Sequence, residues 1–160
     1  MIFVTVGSMF PFDRLIRSVD ELVQRGVITD PVEAQIGDGS YEPKHMPFDR
    51  FLSKPDYEAK LQRAEMIIAH AGAGTIALAL AHQKPLLVLP RQAKFAEHVN
   101  DHQIPTARKF AELEHVLVAN EAEDLVTQLP QLRAFRPKPR EVHADRLASR
   151  IGQFLRDLQR

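Results

Sequence analysis

The 160-residue sequence contains no cysteine and no tryptophan, and neither sign of charge is in excess. Without cysteine the chain can form neither a disulfide nor a thiolate metal site, which is typical of proteins from a reducing compartment. Its 21 basic and 21 acidic side chains balance, so the net charge does not indicate a nucleic-acid partner. No apolar run approaches the ~18 residues of a membrane-spanning helix, and no basic region precedes the apolar start of the chain. We therefore expect a cytoplasmic protein.

Charge is nevertheless distributed unevenly along the chain. Residues 1–132 carry 13 basic and 18 acidic side chains, whereas residues 133–160 carry 8 basic and 3 acidic ones. The total length suits about one domain with its own core. We predict a ligand-binding domain over residues 1–132. Residues 133–160 are predicted to form a basic crossing segment and then an amphipathic helix, which packs either on the domain or on a partner.

Short apolar segments alternate with segments whose apolar residues recur at helical spacing. Strands are predicted at residues 2–6, 32–36, 66–69, 86–89 and 115–118, with a less regular one at 46–52. Helices are predicted at 15–23, 55–63, 73–82, 95–111 with an interruption or kink at Pro105, and 121–129. This alternation predicts an α/β fold, with a Rossmann-like parallel sheet of about six strands and helices on both faces.

The stretch AEMIIAHAGAGT, residues 64–75, combines a buried strand, a glycine turn and the start of a helix. Gly72 and Gly74 let the backbone turn tightly and come close to a ligand. The free N–H groups of the first helical turn would point at that ligand, and the positive end of the helix dipole favours an anion such as phosphate. Glycines also occur at such turns for tightness alone, and this spacing matches neither a dinucleotide fingerprint nor a P-loop, so both interpretations stay open.

Ligands of open α/β sheets lie beyond the carboxyl ends of the strands. The loops expected there are at residues 7–8, 37–38, 70–75 and 90–103, and the last of these is unusually polar. A solvated helix face would explain a run of charges, but a mixture of amide, imidazole and guanidinium groups also suits hydroxyls and phosphates. The polar side chains of this loop are Arg91, Lys94, Glu97, His98, Asn100, Asp101, His102 and Gln103.

Several motifs together resemble one protein family. The runs HAGAGTI, KPLLVLPR and EHVNDHQ, which begin at His70, Lys84 and Glu97, closely resemble the C-terminal, nucleotide-sugar-binding domain of glycosyltransferase family 28. The phrases IFVTVGS, PFDRL and QIGDGSYEP resemble its small free-standing members, the soluble donor-binding subunits of two-chain glycosyltransferases. Those members include the catalytic subunit of the dolichol-linked UDP-GlcNAc transferase and subunits of bacterial exopolysaccharide transferases. The resemblance runs from Met1 to about residue 129 and implies a single C-terminal-type half of a GT-B glycosyltransferase.

The resemblance also implies roles for individual residues. It places the donor diphosphate against Gly72, Ala73, Gly74 and Thr75, and against Gly7 and Ser8 of the first-strand loop. The resemblance, together with the polar character of the loop at 90–103, also implies contacts with the donor sugar or nucleotide. The residues concerned are Arg91, Glu97, His98, Asp101, His102 and Gln103. No catalytic residue is certain; the candidates are His70 and Ser8, and His70 also suits a purely structural hydrogen bond to backbone. The glutamate that binds ribose in many family members corresponds here to Leu78.

The implied function is that of half an enzyme. The chain would be the donor-binding subunit of a two-component glycosyltransferase, which moves a hexosyl group from a UDP-sugar to a lipid-linked saccharide in bacterial exopolysaccharide or glycolipid synthesis. In the larger family the general base belongs to an N-terminal domain with no counterpart in these 160 residues. A membrane-attached, acceptor-binding partner would supply it and hold this chain at the inner face of the membrane. We expect no metal, no cofactor besides the UDP-sugar substrate, and no nucleic acid.

Two other functions stay open. Leu78 in place of the glutamate would fit a non-catalytic subunit that enhances a partner glycosyltransferase without binding the donor. His98 and His102 are four residues apart and would share one face of the predicted helix, with Glu97 and Asp101 beside them, which also suits a metal-dependent hydrolase. Binding of UDP would distinguish the first alternative, and tightly held zinc the second.

Overall fold

Six parallel strands form one sheet in the part of the chain that the computed structural model describes, residues 1–139. The strands are β1 (Ile2–Thr5), β2 (Val32–Gln35), β3 (Phe48–Asp49), β4 (Met66–His70), β5 (Leu86–Leu89) and β6 (Leu117–Val118). The helices are α1 (Asp13–Gln24), α2 (Lys54–Arg63), α3 (Ala73–Ala81), α4 (Gln103–Glu112) and α5 (Asp124–Ala134). The predicted α/β fold with a parallel sheet is confirmed. The helix predicted near the C-terminus lies outside the described residues.

Helices cover both faces of this sheet. On one face α1 and α5 bury apolar side chains such as Leu15 and Leu125 against the strands. On the other face α2, α3 and α4 do the same with side chains such as Ile76 and Ala107. Because the strands are covered on both sides, β4 and β5 are buried along their whole length.

The strand order is β3-β2-β1-β4-β5-β6, so the direction of progression reverses between β1 and β4. From β1 the chain moves outward to β2 and β3, returns to β4 beside β1, and then moves outward on the other side. Thr5 pairs with Ala69 in the register of β1 and β4. The loops that follow these two strands therefore emerge at the same edge, at the position where open α/β sheets bind their ligands.

The segment after β5 differs from the prediction. A helix was expected from residue 95 to 111, but only a short 3-10 helix, Ala93–Phe95, forms before Ala96 turns the chain with a left-handed φ of 57°. The helix α4 begins at Gln103. Pro105 therefore lies in the first turn, where the missing N–H has no intrahelical partner to lose. The prediction of helical structure from residue 95 is wrong for residues 96–102, and the predicted interruption or kink at Pro105 is wrong as well, because the break precedes α4.

Helix and strand boundaries differ elsewhere by a few residues. The helix α5 covers residues 124–134 rather than 121–129 and contains Pro130, and Arg133 of the predicted crossing segment lies in its last turn. The strand expected within 46–52 is reduced to the two residues of β3. No helix in residues 1–139 is both long enough and apolar enough to cross a membrane.

A buried carboxylate fixes the connection between β2 and β3. Asp20 of α1 is 1% exposed and accepts hydrogen bonds from the Tyr41 hydroxyl at 2.7 Å and from the backbone N–H groups of Lys44 at 3.0 Å and His45 at 2.8 Å. Burial alone would raise the pKa of Asp20, but these hydrogen bonds outweigh it and hold the pKa below its ordinary value. The connection is therefore tied to α1 before the chain enters β3.

Candidate functional site

A cleft of about 360 Å³ opens at the carboxyl edge of the sheet, where the strand order reverses. Gly7 and Ser8, which follow β1, form one part of its wall, and Gly74 and Thr75 of α3 form another. The structure thus brings together four of the six predicted diphosphate-binding residues from two distant parts of the sequence, whereas Gly72 and Ala73 do not line the cleft. The remaining lining residues are Gln35, Phe51, Leu52, Lys54 and Tyr57.

The N-terminus of α3 faces this edge without a side-chain cap. Gly72 is the N-cap residue, and no side chain accepts a hydrogen bond from the first-turn N–H groups. The first N–H groups of any α-helix lack intrahelical partners, and they carry the positive end of the helix dipole. The predicted residues Ala73, Gly74 and Thr75 form this first turn. An anion in the cleft would meet donors there that the protein does not use.

The imidazole of His70 fills the space between the two glycine loops. A Cβ atom at Gly72 would lie 2.1 Å from His70 Nε2, and one at Gly7 would lie 2.7 Å from His70 Cε1. Gly7 also has a φ of +73°, which favours glycine. Gly7 is thus required by the ring and by its turn, whereas Gly72, whose φ is −83°, is required by the ring alone. These contacts support tightness of the loops as a reason for both glycines, and closeness to a ligand stays a prediction.

His70 is neutral at physiological pH. Burial, and next the positive charge of Arg91, lower the pKa of His70 to about 3. Its Nδ1 atom is buried and has no hydrogen-bond partner in residues 1–139. Its candidate catalytic role stays a prediction, and so does that of Ser8, whose side chain is exposed at the cleft.

A polar network holds the floor of the cleft. The Thr5 hydroxyl donates to Gln35 Oε1 at 2.7 Å, and Gln35 Nε2 donates to the carbonyls of Gly7 at 3.0 Å and Arg50 at 2.9 Å. Gln35 therefore joins the end of β1 to the end of β3. The Tyr57 hydroxyl lies 3.4 Å from the hydroxyls of both Thr5 and Thr75.

The wall made by the β3–α2 connection was missed at the sequence level. Phe51 is 53% exposed, which is unusual for phenylalanine, and Leu52 lies beside it in the cleft. Lys54 and Tyr57 follow at the start of α2, where Ser53 caps the helix by accepting from Asp56 N at 3.2 Å. One signal was available: the apolar pair Phe-Leu directly before the Ser-Lys-Pro start of a helix.

The second predicted group lies in what we call the β5–α4 segment, residues 90–103. Glu97 is 8% exposed and accepts from Arg14 of α1 at 2.6 Å and 2.8 Å, and from Gln92 N at 3.0 Å. The Arg14 guanidinium lies over the rings of Phe12 and Phe95, at 5.4 Å and 4.6 Å from their centroids. Glu97 thus ties the segment to α1.

Arg91 and Gln103 bind backbone at the strand ends. Arg91 is 2% exposed and donates to the carbonyls of Val6 at 2.7 Å and Phe10 at 2.5 Å. Burial lowers the pKa of Arg91 to about 10, so the guanidinium remains charged near neutral pH. Gln103 Oε1 accepts from the N–H groups of Ala71 at 3.2 Å and Arg91 at 3.1 Å. These side chains hold together the loops after β1, β4 and β5.

Three other predicted residues of the segment lie nearer the surface. Asp101 is exposed and accepts from Ala93 N at 2.7 Å. The rings of His98 and His102 contact one another with centroids 4.4 Å apart, and His98 also contacts Phe10 at 4.7 Å. His98 and His102 do not share a helix face, because His102 is the N-cap residue of α4. None of the predicted residues in the β5–α4 segment lines the cleft.

Leu78, the position of the missing glutamate, lies one turn beyond Thr75 on α3. Its side chain is partly buried and packs against the same core cluster as Leu52 and Tyr57. Within residues 1–139, no group of three or more His, Cys, Asp or Glu side chains is arranged to hold a metal ion.

Comparison with known families gives one match over nearly the whole chain. The model described as glycosyltransferase family 28 C-terminal domain matches residues 1–156. Its match covers both glycine loops, the cleft and the β5–α4 segment.

Comparison with individual proteins finds relatives that are UDP-N-acetylglucosamine transferase subunits. The mouse UDP-N-acetylglucosamine transferase subunit ALG13 is 32% identical over 132 residues, which cover 71% of this chain but only 10% of that protein. The Yarrowia lipolytica subunit of the same name is 27% identical over 137 residues, which cover 78% of this chain and 67% of that protein. A solution structure of ALG13 has the same fold, with a TM-score of 0.57, 23% identity, and coverage of 88% of this chain and 89% of that one.

Proposed function

The chain belongs to the family of glycosyltransferase 28 C-terminal domains, and from this premise we propose that it is the donor-binding subunit of a two-component glycosyltransferase. The donor would be a UDP-sugar, as the names of the ALG13 relatives suggest. The acceptor would be a lipid-linked saccharide, bound by a membrane-attached partner subunit, in bacterial exopolysaccharide or glycolipid synthesis.

One observation carries the proposal. The cleft joins the loop after β1 to the uncapped start of α3, at the reversal of strand order. Backbone N–H groups of a first helical turn bind phosphate oxygens, and this helix start borders on the cleft. The exposed ring of Phe51 and the side chain of Leu52 add an apolar wall. Such a wall suits the planar base of a nucleotide whose diphosphate lies against α3.

The reaction needs stabilisation of a leaving diphosphate. As the bond between the sugar C1 and the diphosphate oxygen breaks, negative charge grows on the diphosphate, and a bond from C1 to the acceptor hydroxyl oxygen forms. Donors fixed at the start of α3 would stabilise that growing charge more than the ground state. Lys54, which also lines the cleft, adds a positive charge. This chain would therefore stabilise the leaving group of the reaction.

The proton of the acceptor hydroxyl must pass to a general base. His70 is buried, and its pKa of about 3 makes the imidazole a weak base. We infer that the base belongs to the partner subunit, which faces the cleft from the side that this chain leaves open. The basic C-terminal helix predicted beyond residue 139 is a further candidate for partner contact, and it lies outside the described residues.

Calorimetric titration with UDP and UDP-sugars tests the donor-binding part. We expect the purified chain to bind UDP without a partner and to transfer sugar to a lipid-linked acceptor at full rate only when the partner subunit is added. Full activity of the isolated chain would contradict the two-component part. Absence of UDP binding at millimolar concentration would contradict donor binding.

A second candidate function rests on Leu78. Its apolar side chain offers no hydrogen bond to a ribose hydroxyl, which would fit a subunit that enhances a partner glycosyltransferase without holding the donor. The same titration distinguishes the two, because only the donor-binding subunit requires measurable affinity for UDP in the isolated chain.

A further inference from the structure

The hydroxyl of Tyr57 lies on the cleft floor, between the end of β1 and the first turn of α3. Its oxygen is 3.4 Å from the hydroxyls of Thr5 and Thr75, and Thr75 lines the cleft together with Tyr57. Hydrogen bonds between hydroxyl groups usually measure about 2.5–3.0 Å. Both contacts of the phenol are therefore long, and neither is a strong hydrogen bond.

The protons of this network can be assigned. Each threonine hydroxyl has one proton to donate. That of Thr5 is directed to Gln35 Oε1 at 2.7 Å, and Gln35 cannot return a proton because its amide donates to the carbonyls of Gly7 and Arg50. Thr5 therefore has no second proton for Tyr57. The O–H of Tyr57 remains a donor that the protein holds only loosely.

The ring of Tyr57 is held in place independently of its hydroxyl. It packs edge-on against the buried ring of Phe3, with centroids 5.6 Å apart, and joins the core on the α2 and α3 face of the sheet. The phenol thus has a fixed position and a loosely held proton beside the helix start where an anion would lie. Little ordering entropy would be lost when it binds a ligand.

We propose that Tyr57 is a donor-binding residue, whose hydroxyl donates a hydrogen bond to a phosphate oxygen of a nucleoside diphosphate in the cleft. This inference rests on the proposed function. It adds a ligand contact from α2, which the glycine loops do not supply. It also accounts for a tyrosine at a position where the core needs only the ring.

The test compares Tyr57→Phe with the wild-type chain. Phenylalanine keeps the contact with Phe3 and removes only the hydroxyl. We expect the affinity for UDP, measured by calorimetry, to fall by about tenfold, because hydrogen bonds to charged groups are among the stronger ones. Affinity for uridine, measured by NMR titration, should change by less than about twofold, since uridine has no phosphate.

Tyr41→Phe is the matched control. The Tyr41 hydroxyl also belongs to a polar network, in which it donates to Asp20 of α1. Tyr41 lies in the β2–β3 connection and does not line the cleft. UDP affinity of this variant should equal that of the wild type. Thermal unfolding of all three proteins shows that each is folded.

Each other outcome has a definite meaning. Equal UDP affinity in Tyr57→Phe and the wild type would overturn the inference and leave the proposed function intact. An equal loss for uridine and UDP would also overturn it, because the contact would then be with the nucleoside. If the wild type itself bound no UDP, the proposed function would fail, and the role of Tyr57 with it.

Discussion

The cleft and the β5–α4 segment lie at the same edge of the sheet, and both are rich in polar groups. In the cleft, the first-turn N–H groups of α3 lack a cap and the phenol of Tyr57 has only long contacts. In the β5–α4 segment, Glu97 accepts three hydrogen bonds from the protein, and Gln103 Oε1 accepts two. In the cleft these groups have few partners within the protein, whereas in the β5–α4 segment most of them hold loops together.

This difference has a physical basis. A buried polar group costs free energy unless it is paired, so a segment that crosses the strand ends must satisfy its own donors and acceptors. A ligand site needs the reverse, since its donors have to be exposed until the ligand arrives. The number of polar residues in a segment does not distinguish a ligand site from a segment that holds loops together. The hydrogen-bond partners of each side chain do.

The largest expected effect of a substitution is in the β5–α4 segment. Glu97→Ala would leave the partly buried Arg14 guanidinium without its bidentate partner and the N–H of Gln92 without an acceptor. We expect the free energy of unfolding to fall by about 3 kcal/mol, the lower end for a broken buried pair, because Glu121 remains 3.8 Å from Arg14. Urea denaturation measures this change.

Lys94→Ala is the control for that substitution. Lys94 pairs with Glu121 at 2.9 Å, but both side chains are about half exposed, so its removal should cost less than about 1 kcal/mol. If both variants lost the same small amount, Glu97 would not hold the segment. The contrast with the cleft would then be mistaken.

The next largest effect is expected at the glycine turn of the cleft. In Gly72→Ala, the added Cβ would lie 2.1 Å from His70 Nε2, and the buried ring has little room to move. We expect a loss of about 1–3 kcal/mol of stability from this overpacking, measured by denaturation, together with weaker UDP binding.

Gly74→Ala provides the comparison two residues away. A Cβ at Gly74 would meet no heavy atom within 4 Å, and alanine is favoured over glycine in a helix by up to about 1 kcal/mol. Its stability should equal or exceed that of the wild type. A Gly72→Ala variant as stable as Gly74→Ala would show that the His70 ring does not require the glycine.

Much of the fold was predictable because its signals are local. Short apolar runs bounded by turn residues, such as β4 and β5, indicate buried strands in a covered parallel sheet, and the glycine turn before α3 indicates where that helix begins. The helix expected at 95–111 does not extend back from α4 because Ala96 takes a left-handed φ of 57° and the Asn100 side chain accepts from the N–H of His102. Helical spacing in the sequence does not show that competition.

The site was predictable in part, for a related reason. Gly7, Ser8, Gly74 and Thr75 follow strands whose neighbours can be inferred from topology, and the structure places all four in one cleft. Phe51 and Tyr57 could not be assigned, since their place depends on the two-residue strand β3 and on the network through Gln35. Arg91 and Glu97 were predicted to bind the ligand because their charged side chains are of a suitable chemical type. Their contacts with Val6 and Arg14 depend on residues more than 80 positions away.

The smallest stability effect is expected at His102, where the contrast between the two regions is least sharp. His102 is exposed, and its Nδ1 lies 2.5 Å from Asn100 Oδ1, so its Nε2 is left for a ligand. His102→Ala keeps the backbone groups at the start of α4 and should change the free energy of unfolding by less than about 0.5 kcal/mol. If His102 contacts the donor sugar, the same variant should lose affinity for its UDP-sugar while keeping affinity for UDP, and calorimetry with both ligands measures the difference.

His82→Ala is the control for that substitution, because His82 is a partly exposed histidine that lines a groove at the opposite edge of the sheet, with Glu65 and Pro85. It should leave both affinities unchanged. A loss of UDP-sugar affinity in His102→Ala alone would make this imidazole the point where the β5–α4 segment reaches the ligand, on a frame held by Glu97 and Gln103. Unchanged affinity for both ligands would instead show that this imidazole does not contact the donor, and would extend to His102 the contrast between the cleft and the β5–α4 segment.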